Sequence, residues 1–286
     1  MKMVSTEKKH MVGTIIYHVV ILLIGLIMVY PLVWMVMSSF KETNTIFTTA
    51  GSLLPEHFTL DNYINGWKGF AKITFATFFK NSILISVLAT FGTILSSAVV
   101  AYGFARFKFR GRGILFAAML LSMMLPAQVL MIPQYLWYQK LGWVGSYLPL
   151  IIPYFFATQG FFVYLMSNFI SGIPVELDEA AKIDGCSYWG IFIRVIVPLI
   201  KPAVVTGCIF SFMWRWDDFL AALLYLSDPL KYPVSYALKM FSDPTAGSDW
   251  GAMFAMATLS LIPIFVIFLT MQKYLVEGIA STGIKG

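Results

Sequence analysis

The sequence predicts an all-α polytopic membrane protein with six transmembrane helices, and two observations support this fold class. Of the 286 residues, 59% are hydrophobic and only 12% are charged, and the mean hydropathy is +0.78. Soluble domains carry roughly 25% charged residues, so lipid is the natural solvent for this much apolar surface. Six apolar runs also approach or exceed the roughly 20 residues that a helix needs to cross a bilayer core. Helices are expected because they satisfy the backbone polar groups within each span.

The predicted spans all belong to a single transmembrane domain, residues 1–286. In chain order they cover residues 14–37, 81–105, 113–135, 148–166, 202–225 and 251–272. The first run is longer than the apolar part of a cleavable signal and lacks a small-residue cleavage site, which predicts a retained anchor. Prolines at positions 31, 126, 153 and 263 fall inside the runs and predict kinks.

The orientation follows from the charges in the short loops. Arg106, Lys108, Arg110 and Arg112 follow the second span with no acid among them, whereas the loop at 139–147 carries only Lys140. Because cytoplasmic loops are enriched in Lys and Arg, we expect the first of these loops, and both chain termini, to be cytoplasmic. The external loop at 38–80 carries four lysines, which opposes this orientation, but its acidic residues partly offset their charge. The net charge of +6 then reflects membrane topology rather than a nucleic-acid partner.

An acidic segment between the fourth and fifth spans predicts a short cytoplasmic helix. Pro174 suits a first helical position, and the acids that follow it suit the positive end of the helix dipole. Asp178 and Lys182 lie four residues apart, so they are expected to pair. Gly185 is the expected left-handed stop.

The next segment, residues 187–198, predicts an interfacial helix that leads into the fifth span. Its apolar residues Trp189, Phe192, Ile193 and Ile196 recur at helical spacing. Together the two segments form an elbow at 171–200. An elbow this acidic is poorly suited to anionic lipid, which favours a protein partner over the membrane surface.

The elbow resembles the EAA loop of bacterial ABC importer permeases. The resemblance rests on Glu179-Ala180-Ala181, Gly185 and Pro198 at the family's spacing, although Val195 and Val197 stand where the family has Ile and Leu. Asp184-Gly185, the run 216–219 (Trp-Asp-Asp-Phe) and the Gly-rich tail are similar to the carbohydrate-uptake branch, the G-type maltose permeases.

This resemblance implies a transport subunit that is not an enzyme. No Gly-x-x-x-x-Gly-Lys-Ser/Thr motif occurs, so ATP and Mg would be used by separate ATPase chains. The implied partners are two ATPase subunits, a second permease subunit and an extracytoplasmic sugar-binding protein, in a bacterial cell membrane. The implied ATPase-coupling residues are Glu176, Asp178, Glu179, Ala180, Ala181, Asp184, Gly185 and Pro198. In the cytoplasmic tail, 273–286, the residues implied to reach between the ATPases are Glu277, Gly278, Gly283, Lys285 and Gly286.

The chain itself is expected to bind no cofactor and no metal. Its three histidines, His10, His18 and His57, are scattered along the sequence and form no ligand pair.

A second candidate site lies in the outer half of the fifth predicted span. It consists of Trp214, Arg215, Trp216, Asp217 and Asp218. Ionisable groups at membrane depth usually face a cavity or each other, and aromatic faces beside carboxylates suit sugars. Alternatively, the span ends early and these residues cap it at the interface.

Other classes of membrane protein fit less well. An ion-coupled secondary transporter needs midplane carboxylates or broken helices, a channel subunit needs a filter-like segment, and a membrane enzyme needs a convergent catalytic set. No acidic residue is clearly central in any span, no repeated filter-like segment appears, and no convergent catalytic set is visible. The identities of the solute and of the permease partner stay open, as does direct contact of this subunit with substrate.

Overall fold

The computed structural model describes residues 2–243 and 248–283, with side chains for 13–243 and 248–274. The described residues are mainly helical and form no β-strand, apart from an isolated bridge between Phe70 and Ile73. The chain divides into two compact units, Met1–Gly69 with Met240–Leu259 and Phe70–Lys239 with Ser260–Gly286. The single-domain organisation stays a prediction.

The α-helices are numbered here in chain order. They are α1 (Lys2–Ser38), α2 (Asp61–Lys68), α3 (Phe75–Arg106), α4 (Arg112–Met123), α5 (Ala127–Lys140), α6 (Leu148–Ile151), α7 (Gly160–Ser171), α8 (Glu176–Ile183), α9 (Tyr188–Ile191), α10 (Val197–Leu199), α11 (Lys201–Trp216), α12 (Phe219–Tyr225), α13 (Val234–Phe241) and α14 (Trp250–Gly283).

Among the described residues, four helical segments are long and apolar enough to cross a membrane. These segments are Gly13–Ser38, Phe75–Arg106, Leu148–Ser171 and Trp250–Tyr274. Two bent pairs, α4 with α5 and the segment Tyr188–Leu199 with α11, raise the number to six if each pair is one crossing. Every predicted span therefore has a helical counterpart, and the differences lie in where the helices bend and end.

In the first unit, a buried lysine organises the loop after α1. Lys41 is only 2% exposed, and its Nζ donates to the carbonyl oxygens of Thr49, at 2.9 Å, and Ser52, at 2.6 Å. Asn62 on α2 donates to the carbonyl oxygens of Ser39 and Lys41. One of the four lysines that opposed the predicted orientation is thus a structural residue inside its own loop.

In the second unit, α3 is the central helix and packs along α7 and α11. It begins at Phe75, six residues before the predicted start, and at 1.5 Å per residue it is about 48 Å long. Its buried positions are mostly small or hydroxylated, which lets helices approach closely in a membrane. At Gly207 on α11, a Cβ would meet Ile94 Cδ1 at 2.8 Å. A larger residue there would require the Ile94 side chain to shift, so glycine favours the close α3–α11 contact.

The third predicted span is not one straight helix. The axes of α4 and α5 make an angle of 103°, and Pro126 stands at the break with φ −60° and ψ 130°. Proline cannot donate to the preceding turn, and this extended conformation ends the hydrogen-bond ladder of α4. The kink predicted at this proline is confirmed, but the bend is large enough to divide the run into two helices.

The fourth predicted span is interrupted as well. A 3-10 turn, Ile152–Phe156, follows α6, and Ala157 then adopts a left-handed conformation with φ 51° before α7 begins. Ser96 on α3 covers this break, because its Oγ accepts the Ala157 N–H at 3.0 Å and lies 3.0 Å from the Tyr154 carbonyl oxygen. The interruption thus has polar partners within the helix bundle.

The fifth predicted span, 202–225, is wrong as a single helix. The approach is helical, with a π-helical stretch at Phe192–Ile196, and it bends by 76° into α11. Helix α11 then ends at Trp216, and α12 begins at Phe219 because Asp218 accepts the Ala221 N–H at 3.1 Å as an N-cap. A 3-10 turn, Pro229–Lys231, then connects α12 to α13.

Candidate functional site

The predicted acidic helix is present as α8. It begins at Glu176, and the N–H groups of Asp178 and Glu179 donate to the Val175 carbonyl oxygen at 2.9 and 3.1 Å. Pro174 therefore precedes the helix by two residues instead of opening it. The three acids of the first turn lie at the positive end of the helix dipole, as predicted.

Gly185 ends α8 in the left-handed conformation that the sequence predicted, with φ +82°. Its N–H donates to the Lys182 carbonyl oxygen at 3.1 Å, and the Cys186 N–H reaches back to Ala181 at 3.0 Å. This pair of hydrogen bonds defines a Schellman motif. A Cβ at Gly185 would meet no atom within 4 Å, so the requirement for glycine lies in the backbone conformation.

The predicted pair between Asp178 and Lys182 is wrong. Asp178 Oδ2 lies 2.8 Å from Nε of Arg106, the last residue of α3, and the two side chains are only 15% and 6% exposed. Lys182 instead lies 5.3 Å from the centroid of the Tyr188 ring and within 3.4 Å of its hydroxyl. The side chain of Asp178 thus turns towards the bundle, where it pairs with the buried guanidinium of Arg106.

The predicted coupling residues divide into an exposed and a buried group. Asp178 and Ala181 are turned inwards, and Ala181 is 8% exposed in an apolar cluster with residues of α3, α7 and the π-helical stretch. The others are exposed, namely Glu176, Glu179, Ala180, Asp184, Gly185 and Pro198. Ile183, which sequence reasoning did not single out, is 86% exposed. Since residues three and four apart share a helix face, Glu176, Glu179, Ala180 and Ile183 form one outward surface.

The second arm of the elbow is helical, as predicted, but its apolar residues separate. Phe192 and Ile196 are 5% and 0% exposed, whereas Trp189 and Ile193 remain about 61% and 60% exposed. Ser187 caps α9 by accepting the Gly190 N–H at 3.2 Å. The elbow is thus fixed to the bundle on one side and open on the other.

The second candidate site borders a cavity of about 550 Å³ inside the second unit. Its lining comes from the α4–α5 break, the irregular segment between α6 and α7, and the α11–α12 break. Trp214, Arg215 and Asp218 of the predicted set line it. Gln134, Tyr154 and Gln159 also line it, and no periodic pattern or motif marks these three residues.

Arg215 is the charged centre of this cavity wall. Its Nη1 lies 3.0 Å from Asp218 Oδ2 and donates to the Tyr154 hydroxyl, and its guanidinium carbon is 4.5 Å from the centre of that ring. Asp218 at the same time caps α12. Trp214, Arg215 and Asp218 thus line one cavity, and Asp218 also starts a new helix, while their place on a substrate path stays a prediction.

Two other residues of this set are placed differently. Trp216 is 2% exposed, packs on Phe212 and donates from Nε1 to the Ser260 carbonyl oxygen at 3.1 Å, so it is a core residue. Asp217 is exposed and follows the end of α11 without lining the cavity. In the predicted tail, the backbone of Glu277, Gly278 and Gly283 belongs to α14, whereas Lys285 and Gly286 lie outside the described residues.

Known proteins similar to this chain are components of membrane transport systems. A family model described as binding-protein-dependent transport system inner membrane component matches residues 93–281. The probable ABC transporter permease protein YurM of Bacillus subtilis is 35% identical over 98% of this chain and 91% of its own length. The trehalose/maltose transport system permease protein MalG of Thermococcus litoralis is 32% identical over 93% of this chain and 94% of its own.

A solved structure agrees with these relatives. It is the crystal structure of a bacterial ABC transporter involved in import of the acidic polysaccharide alginate, with a TM-score of 0.79 and 25% identity. The alignment covers 92% of this chain and 96% of that chain. These similarities favour an ABC importer permease over a secondary transporter, a channel subunit or a membrane enzyme. The chain belongs to the family of binding-protein-dependent transport system inner membrane components and is a permease subunit of an ABC importer.

Proposed function

We propose that this permease forms half of the translocation path for a sugar or oligosaccharide in a bacterial cell membrane. It would work with a second permease subunit, two ATPase subunits that use ATP and Mg, and an extracytoplasmic sugar-binding protein. The names of the relatives support the cargo, since one carries trehalose or maltose and another alginate. The family description supports the binding protein.

The observation that carries the coupling role is the position of α8. It is held to the bundle through Asp178 and Ala181, while Glu176, Glu179 and Ile183 project outwards. A short helix with one fixed face and one free face is suited to receive force from a partner protein. We assign the outward face to docking on an ATPase subunit.

The orientation of α8 has a second line of support. Arg106, which pairs with Asp178, begins the most basic short loop of the chain. The ion pair thus links α8 to a loop that the positive-inside rule assigns to the cytoplasm. An ATPase that consumes cytoplasmic ATP would meet α8 on that side, and both termini would be cytoplasmic.

Transport would proceed by alternating access. Closure of the ATPase dimer displaces the docked α8 helices, and the permease subunits change between inward- and outward-facing arrangements by rigid-body movement. Trp214, Arg215 and Asp218 are the residues that we place on the sugar path, with Tyr154 as an added neighbour. Trp216 is left out because it is buried in the core.

The docking role is tested by reversing the charge of Glu179. In the purified importer, Glu179→Lys should lower both the amount of co-purified ATPase subunit and ATP hydrolysis by about tenfold, as for an interfacial charge pair that loses its partner. Glu56→Lys is the matched control, because Glu56 is an exposed acid in the predicted external loop. Unchanged co-purification with Glu179→Lys would refute docking through this face.

A further inference from the structure

The guanidinium of Arg106 holds two consecutive parts of the elbow at once. Its Nε lies 2.8 Å from Asp178 Oδ2 in the first turn of α8, and its Nη2 donates to the Ile173 carbonyl oxygen at 2.9 Å. Ile173 directly precedes the Pro174-Val175 entry to the helix. One side chain from the end of α3 therefore fixes both the entry to α8 and its first turn.

Both charged side chains of this ion pair are largely buried. The side chains of Arg106 and Asp178 are 6% and 15% exposed, so neither charge is well solvated when the other is absent. Removal of one partner of such a pair is far more costly than replacement of both, because it leaves an uncompensated buried charge. The pair therefore helps to fix the position of α8 against α3.

The packing beside the ion pair joins the same two elements. Tyr102, one turn before Arg106 on α3, is 6% exposed, and its ring centre lies 5.1 Å from that of Phe192 in the elbow. Ala181 of α8 belongs to the same apolar cluster as Tyr102 and Ala101. Helix α3 is continuous from Arg106 back to Phe75, so a single helix connects the elbow to the centre of the unit.

We propose that Arg106 is a positioning residue that transmits the movement of α8 to α3 through Asp178. This proposal rests on the proposed docking of α8, and it gives Asp178 a role different from the direct ATPase contact expected from sequence. Asp178 connects the docking helix to the bundle, whereas Glu176, Glu179 and Ile183 meet the partner.

The test separates transmission from docking in the assembled importer. Arg106→Glu and Asp178→Arg should each leave the amount of co-purified ATPase subunit within about twofold of the parent. Each should lower the stimulation that the binding protein exerts on ATP hydrolysis by about tenfold, which lies within the range of measured coupling energies. The double exchange, Arg106→Glu with Asp178→Arg, should restore at least about half of that stimulation. Arg110→Glu is the matched control, since it makes the same charge change at an exposed residue of the same loop.

An uncharged double variant, referred to as the neutral pair, controls for single variants that fail to fold. Arg106→Gln with Asp178→Asn leaves no buried charge unpaired, so membrane insertion and ATPase binding should persist while the stimulation remains low. Normal stimulation in this pair, or no recovery in the charge exchange, would overturn the proposal. Loss of co-purified ATPase in the neutral pair would also overturn it, by showing that the ion pair serves docking. Failure of docking itself would appear separately, as unchanged co-purification with Glu179→Lys.

Discussion

At the scale of single residues, Gly185 is required for its backbone conformation and not for a close contact with a neighbouring residue. Its φ of +82° lies in the region that residues with a Cβ occupy at a cost of roughly 1–2 kcal/mol. No atom lies within 4 Å of the position that a Cβ would take. A substitution there strains the end of α8 without a clash inside the chain, so its effect should fall on the exposed surface of the elbow.

We therefore expect Gly185→Val to abolish ATP hydrolysis that depends on the permease while leaving membrane insertion intact. Gly185→Asn should retain at least about half of the activity, because asparagine tolerates the left-handed conformation far better than a β-branched residue. The measurements are the yield of detergent-extracted protein and the rate of ATP hydrolysis in the assembled importer. Normal activity of the valine variant would refute the docking role of this turn.

At the scale of elements, the sequence predicted helices well and their interruptions less well. Runs of apolar residues locate α1, α3 and α14 because each run lies within one continuous helix, although each helix extends beyond its run. The division at Pro126 was predicted as a kink, but its 103° angle depends on what the two helices pack against. Helix α11 ends before Asp218 because Asp218 caps α12, although the apolar run in the sequence continues to Tyr225.

The same limit applies to the candidate sites. Gly185 and the acids of α8 were predictable because caps and dipole effects act within one turn. The partner of Asp178 was not, since Arg106 lies on another helix and local spacing favoured Lys182. Tyr154 reaches Arg215 only because the segment after α6 is irregular, and no periodic pattern reports such a segment.

The helix breaks also produce the cavity, which leads to a prediction for the sugar path. Trp214 lines the cavity, so Trp214→Ala should weaken apparent sugar affinity about two- to tenfold, corresponding to an aromatic contact of about 0.5–1.5 kcal/mol. Uptake of labelled maltose, trehalose and alginate oligosaccharides by vesicles would measure it, with whichever sugar the importer accepts. Trp137→Ala is the control, because Trp137 is exposed on α5 and does not line the cavity.

That substitution should leave ATPase co-purification unchanged, since Trp214 is separate from α8. The aromatic variant Trp214→Phe should recover much of the lost affinity by keeping a ring on the cavity wall. If Trp214→Ala and Trp137→Ala change uptake equally, the cavity is not part of the sugar path.

At the scale of the whole molecule, the proposed mechanism requires α8 and the loop after α12 to lie on opposite sides of the membrane. The positive-inside rule and the Arg106–Asp178 pair support a cytoplasmic α8. Ser227 lies between the fifth and sixth predicted spans, a connection that the same orientation places outside the cell. Both Asp184 and Ser227 are exposed, so either position can accept a cysteine without disturbing the core.

We expect a single cysteine at Asp184→Cys, with Cys186 and Cys208 replaced by serine, to react with a membrane-impermeant maleimide only after the cells are opened. Ser227→Cys in the same background should react in intact cells. The opposite pattern would place the acidic helix outside, away from cytoplasmic ATPases, and would refute both the docking of Glu179 and the transmission through Arg106. Labelling of both positions in intact cells would indicate leaky cells, which a cytoplasmic marker protein detects in the same experiment.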